Sequence, residues 1–144
     1  MTKARAAARL AAVQALYQFE MQATRLPRLL DEFHQHRLGA EIEDIQFAKA
    51  ETAFFDDVVS GVIARRDEVD AVISGKLAEG WSLERLDRTM LQILRAGTYE
   101  LMARADVPTG SAISEYVDVA HAFFEAREAK FVNGVLDAVA KSVR

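Results

Sequence analysis

Two prolines and seven glycines are all that interrupt 144 residues, and the stretches between them are dominated by alanine, leucine, arginine and glutamate. Helix propensity is therefore high almost everywhere, because a helix interior penalises glycine by about 1 and proline by about 3 kcal/mol relative to alanine. The chain reads as all-α, a single domain over residues 1–144 in which helices pack on helices. A domain of this length buries roughly two-thirds of its unfolded surface and needs no disulfide or metal to fold. It has no cysteine, which removes thiol catalysis, thiolate metal sites and a disulfide framework, and fits a cytoplasmic protein. No apolar run approaches the roughly 20 residues of a membrane span, and the start lacks the apolar core of a signal peptide. A soluble domain without membrane contact is the expectation.

Hydrophobic periodicity places about seven segments. Ala6, Leu10, Val13 and Tyr17 form one stripe of a helix from about Thr2 to Gln22. Pro27 suits the first turn of a second helix carrying Leu29, Leu30 and Phe33 and ending before Gly39. The acidic stretch Glu41 to Asp44 reads as a loop. Phe55, Val58, Val59, Val62 and Val69 keep a helical period through a long third helix, about Phe47 to Ile73. Gly75 and Gly80 bracket an irregular piece, and Ser82 is placed to cap the next helix, with Leu86, Met90, Ile93, Leu94, Gly97 and Leu101. Asp106 to Gly110 stops it. A segment from about Ser111 to Phe124 carries Ile113, Val117, Ala120 and Phe124, and the last helix aligns Val132, Val135, Leu136, Val139 and Val143.

Charge singles out the N-terminus. Met1 to Phe19 contains Lys3, Arg5 and Arg9 and no acid, in a chain of net charge −4. A cationic edge on an acidic protein points to an anionic partner, nucleic acid first. The competing reading is that three cations are simply solvated, since a dedicated basic arm carries more. If all three meet phosphates of a single strand, the log–log salt slope is roughly −2, and Arg5→Glu with Arg9→Glu is expected to abolish most of the binding while leaving helicity intact.

Catalytic signals are weak. His34 and His36 are two apart, a spacing that points them to different sides of a helix and suits surface residues. His121 among apolar neighbours reads as a partly buried, hydrogen-bonded histidine without a base or metal partner. Glu41, Glu43 and Asp44 lack calcium-loop spacing. No nucleophile elbow, phosphate-cradling glycine loop or zinc motif occurs, so neither catalytic residue, metal nor cofactor is expected. In the last helix Asn133, Asp137 and Lys141 recur every four residues on a polar face. Gly134 beside them opposes helix propensity and is read as allowing close approach, by another helix in preference to a ligand backbone. Asn133 suits either a structural hydrogen bond or a base edge.

Several blocks together carry a resemblance: Ala12-Val-Gln-Ala-Leu-Tyr-Gln18, Phe54-Phe55 with Val58-Val-Ser-Gly-Val62, Trp81-Ser-Leu-Glu-Arg-Leu86, Ile93-Leu-Arg95, Tyr99-Glu-Leu101, Asp106-Val-Pro108 and Lys130-Phe-Val-Asn-Gly-Val-Leu-Asp137. In this order they resemble the NusB family of bacterial transcription antitermination factors, with residues 25–49 the least similar. The resemblance implies two packed helical subdomains and no catalytic activity. It also implies pairing with the ribosomal protein NusE and binding of the single-stranded boxA element in ribosomal RNA transcripts. With other Nus factors on RNA polymerase, such a complex suppresses termination. By similarity Lys130, Phe131 and Asn133 join Lys3, Arg5 and Arg9 on the RNA surface, although an aromatic at the spacing of Phe131 is usually core. Tyr17 and Glu84 match partner-contact positions.

Departures from the family pattern are local. Ala6, Ala7 and Ala8 stand where the first helix is commonly richer in arginine, Ile113-Ser-Glu115 replaces Ile-Asn-Glu, and Met90 replaces an acid of some relatives. Low RNA affinity of the isolated protein is the expectation. Rival readings are a helical adaptor that binds only protein, a NusB-like domain of the kind attached to ribosomal RNA methyltransferases, and a DNA-binding helix-turn-helix, which lacks its basic recognition helix. A homodimer is left open.

Overall fold

The computed structural model of the protein describes residues 3–35 and 49–144. Among them seven α-helices follow one another without a strand: α1 (Lys3–Gln22), α2 (Leu26–Phe33), α3 (Lys49–Ala64), α4 (Arg66–Ser74), α5 (Arg88–Ala103), α6 (Thr109–Phe123) and α7 (Ala126–Val143). A short 3-10 turn at Leu83–Arg85 precedes α5. The all-α reading holds. Gly39, the acidic stretch Glu41 to Asp44, Phe47 and His36 lie outside the described residues.

Helix α5 is the axle. Every residue from Met90 to Leu101 is buried, and the helix packs against α1, α3, α4, α6 and α7. Helices α2 and α3 lie on α1, while α6 and α7 pair with each other. These N- and C-terminal groups join along α5. Close approach at the joints depends on two glycines. A Cβ on Gly61 of α3 would lie 2.1 Å from Cζ of Tyr99, and one on Gly97 of α5 would lie 2.9 Å from Cδ1 of Leu136. Burial of large aliphatic side chains on both sides supplies the driving force, at about 25 cal/mol per Å² of apolar surface.

Four expectations about these elements are corrected. The buried face of α1 is Ala8, Ala11, Ala12, Val13, Ala15 and Leu16 rather than the stripe through Ala6, Leu10 and Tyr17. Alanines that look like spacers are the contact surface, because their small size lets α3 and α5 come close. The third helix is two helices: Arg65 leaves helical geometry at φ −111°, ψ 24°, and the bend there keeps both Val62 and the Val69–Ile73 face in the core. Ser82 heads only the 3-10 turn, and its side chain caps nothing. Asp87 caps α5 instead, its Oδ1 accepting the amide hydrogens of Thr89 at 2.8 Å and Met90 at 3.1 Å. His121 is exposed rather than enclosed.

Ion pairs lock the ends of the bundle. Arg95 donates Nε and Nη2 to the two carboxylate oxygens of Asp70, both at 2.8 Å, and Nη1 to Glu20 at 3.3 Å. That fork joins α5 to α4 and α1. The Arg144 guanidinium donates to the carbonyl oxygens of Leu101 at 2.9 Å, Arg104 at 2.8 Å and Val107 at 2.7 Å, satisfying the carbonyls left open beyond the end of α5. No described helix is long and apolar enough to cross a membrane.

Candidate nucleic-acid interface

The first helix does not present its cations as one edge. Lys3 opens α1, but its side chain lies outside what is described. Arg5 is partly exposed, pairs with Glu51 at 3.5 Å and lays its guanidinium 4.5 Å above the Phe54 ring. Arg9, one turn on, is fully buried. Its Nε and Nη2 donate to Glu100 at 2.9 and 3.0 Å, and Nη1 donates to Glu115 at 3.2 Å. The Tyr116 hydroxyl donates to the same Glu100 carboxylate. Arg9 also sits 5.0 Å from the centroid of Phe54, a ring that meets Arg104 at 5.0 Å as well.

Electrostatics follow from this enclosure. Burial alone would lower the Arg9 pKa, yet the hydrogen bond and charge of Glu100 outweigh it and raise it. The Tyr116 hydroxyl is pushed well above its ordinary range, by burial first and then by the Glu100 charge. The cluster is a buried network in which one guanidinium faces two carboxylates, with the Tyr116 hydroxyl on the deeper of them. The structure therefore places Arg9 inside the bundle, joining α1 to α5 and α6, rather than on an exposed cationic edge of the first helix. A sequence shows charge but not burial, and an arginine two helical turns from a chain start looks solvated.

Helix α7 presents the other expected contacts. Lys130 and Asn133 are exposed, and Phe131 is half-buried against the core. The Phe131 ring centroid lies 6.4 Å from that of Trp81 at 44°. Gly134 is exposed, and a Cβ there would meet nothing within 4 Å. No described helix approaches it, which corrects the packing explanation for that glycine. Asp137 and Lys141 pair across one turn at 3.2 Å on the same solvated face.

Tyr17 is 39% exposed. It borders a cavity of about 290 Å³ together with Gln14, Gln18, Phe33, Thr89 and Phe123. Met21 and Phe123 extend this exposed apolar surface. Glu84 is exposed in the 3-10 turn, and its carboxyl is held below the usual range by its own backbone amide and the Ser82 hydroxyl. Arg88 ties that turn to α1, donating to the Leu83 carbonyl at 2.6 Å and reaching Glu20 at 3.8 Å.

One feature escapes the periodicity. Trp81 is 53% exposed and stands at the mouth of a cleft of about 550 Å³ walled by Leu86, Met90, Phe124 and Phe131, with Arg85 and Arg127 on its rim. A tryptophan outside every apolar stripe, directly ahead of a polar turn, is the signal that could have found it. The His34 Nε2 and Asp56 Oδ1 atoms are hydrogen-bonded at 2.6 Å, the carboxylate accepting, and no cluster of metal-ligating side chains occurs among the described residues.

The sequence and the fold are matched in other proteins over nearly the whole chain. A model of the NusB family matches residues 6–141. The chain is 77% identical over 142 residues to the transcription antitermination protein NusB of Novosphingobium aromaticivorans, spanning 99% of this chain and 96% of that protein. With the NusB of Sphingopyxis alaskensis the identity is 66%, over 99% and 95%. Among solved structures, T. maritima NusB matches with a TM-score of 0.79 at 30% identity, over 98% and 93% of the two chains. A complex of antitermination factors NusB and NusE with dsRNA matches with a TM-score of 0.82 at 25% identity, over 99% of each chain. A helical bundle turning on α5, with its sequence matched almost end to end, leads to one conclusion: the chain belongs to the NusB family.

Proposed function

We propose that this protein is a non-catalytic transcription antitermination factor of the cytoplasm, a single domain that pairs with NusE and binds boxA RNA. Joined to RNA polymerase and other Nus factors through that complex, it tethers the nascent transcript beside the elongating enzyme. The observation that carries this reading is the end-to-end match to NusB relatives, together with the similarity to a NusB bound to NusE and dsRNA. Lys3, Arg5 and Lys130 are assigned to phosphates, and Phe131 and Asn133 to bases. Arg9 holds the first helix in place without touching RNA. Tyr17 and Glu84 are assigned to the NusE face, supported by the exposure of both and by the apolar surface of Tyr17, Met21 and Phe123.

The test is a titration of labelled boxA RNA, scrambled RNA and duplex RNA, with and without NusE, at 50 and 200 mM salt. Three phosphate contacts predict a log–log slope of roughly −2, a preference for single-stranded boxA, and tighter binding with NusE present. Equal retention of all three RNAs overturns the boxA assignment, and no RNA retention even with NusE overturns the reading in favour of a protein-only adaptor. Tyr17→Asp is expected to weaken NusE capture in a normally folded chain.

A further inference from the structure

We propose that Arg88 is a positioning residue for partner capture, tying the turn that carries Glu84 to Glu20 of α1 so that Glu84 and Tyr17 are held in one fixed relation. This rests on the assignment of Glu84 and Tyr17 to the NusE face and adds to it the residue that aligns the two.

The turn at Leu83–Arg85 has little of its own to hold it. It is three residues long, and hydrogen bonds in a 3-10 turn are poorer in geometry than those of an α-helix. Its flanking residues Ser82 and Leu86 are both extended, and the Ser82 side chain does not cap it. Leu86 is buried and Leu83 is partly buried against the core. Apolar contact is non-directional, so it sets the depth of the turn and not its tilt.

Arg88 supplies the missing direction. From the start of α5 its Nη2 donates to the carbonyl oxygens of Leu83 at 2.6 Å and Leu86 at 2.8 Å, and its Nε donates to Leu86 at 3.3 Å. Its Nη1 lies 3.8 Å from Oε1 of Glu20, which stands about one turn along α1 from Tyr17. Glu20 is itself anchored, accepting from Gln92 at 2.8 Å and from Arg95 at 3.3 Å, and Arg95 forks onto Asp70. A planar guanidinium can bind two carbonyls and face a carboxylate at once, which an ammonium on a flexible stem does not reproduce. Thr89, the next residue, lines the cavity beside Tyr17, so the start of α5 adjoins both assigned partner contacts. The Glu84 carboxyl, held low by its own backbone amide and the Ser82 hydroxyl, also feels the Arg88 charge.

The deciding substitution is Arg88→Lys, which keeps a cation near Glu20 and removes the fork. Trp81 is the sole tryptophan and stands just ahead of the turn, so its fluorescence anisotropy in the full chain without NusE reports the freedom of that turn. Arg88→Lys should lower the anisotropy while far-UV circular dichroism stays unchanged. Capture of NusE should weaken about tenfold, mostly through faster dissociation. Glu84→Ala should weaken capture by a similar factor, and adding Arg88→Lys to it should cost less than about twofold more, because the arginine acts through the glutamate. Unchanged Trp81 anisotropy in Arg88→Lys overturns the proposal without reference to NusE. Parent-like capture by Arg88→Lys, beside a Glu84→Ala chain that captures poorly, overturns the positioning role and leaves the NusE face standing. An equal loss from Arg88→Lys in both backgrounds overturns it in favour of direct contact with the partner. A Glu84→Ala chain that captures NusE as well as the parent overturns both the Glu84 assignment and the proposal built on it.

Discussion

Arg9→Met separates the structural role of the first helix from its binding role. The substitution keeps most of the side-chain volume against Phe54 and Tyr116 but withdraws the donors that Glu100 accepts at 2.9 and 3.0 Å. Arg9 and Glu100 are both fully buried, and removing one partner of such a pair costs about 3–5 kcal/mol because the other charge stays enclosed. At about 2.1 cal/mol/K per residue, 144 residues give an unfolding entropy near 0.3 kcal/mol/K, so Tm should fall by about 10–17 °C. Arg5→Ala loses a partly exposed pair at 3.5 Å and should move Tm by only about 0–3 °C. A third variant closes the argument. Combining Arg9→Met with Glu100→Gln leaves an acceptor for Tyr116 and removes the fully buried charge, so that only the partly exposed Glu115 loses its arginine, and should recover at least half of the lost stability. Differential scanning calorimetry on the three variants gives the answer, with boxA binding measured well below each Tm. An Arg9→Met chain that melts within about 3 °C of the parent but binds RNA poorly would refute the buried-pair argument and return Arg9 to the surface. The same reasoning corrects the double charge reversal of Arg5 and Arg9: Arg9→Glu places an acid against Glu100 and Glu115, so loss of fold would be read as loss of binding.

Gly61→Ala should destabilise by about 1–3 kcal/mol or more, read as a drop in the denaturant midpoint, because the new methyl overlaps the Tyr99 ring that Asp57 holds at 2.7 Å. Gly134→Ala should instead stabilise by up to about 1 kcal/mol, since the site is helical and open; a rise in Tm with weaker RNA binding would mark close approach of an RNA backbone, and a fall in Tm would contradict the open site. Tyr99 is pushed up to about 12, by burial first and then by its hydrogen bond to Asp57. Its folded pKa lies above the unfolded value of about 10, so the stability it contributes is complete below pH 10 and is lost as pH rises towards 12. Absorbance at 295 nm should show a late tyrosinate component that Tyr99→Phe removes, and an unaltered alkaline titration in that variant would contradict the assignment.

Legibility in the sequence tracked side-chain size. Helices α5 and α7 announce themselves because Ile93, Leu94, Leu101, Val132, Leu136 and Val139 are large, buried and periodic. Helix α1 did so only in outline, since its buried face is mostly alanine and a methyl group weighs little in any hydrophobic pattern. The Arg65 bend left no mark because no proline or glycine makes it. Asp87 and Ser82 are both good capping residues, and only backbone geometry distinguishes them. Site residues divide in the same manner. Lys130 and Asn133 sit on the solvated face that their spacing implies, whereas Arg9 is claimed by acids 91 and 106 residues away. Partners so distant are invisible to a local reading. Trp81 was visible as an aromatic outside the stripes, but the cleft around it is assembled from α5, the end of α6 and α7.

The Arg9 fork has a mechanical consequence for recognition. A face of alanines is smooth, and a helix resting on one can roll about its axis or slip along it at little cost in contact area. A guanidinium is planar, and its paired bonds to Glu100 tolerate little rotation. Arg9 thus acts as an index pin, fixing the rotational phase of α1 against α5 and α6. Arg5 lies one turn before the pin, Lys3 nearly two turns before it, and Tyr17 about two turns after it. The bearing of both ends of α1, Arg5 at one and Tyr17 at the other, is set at a buried point between them.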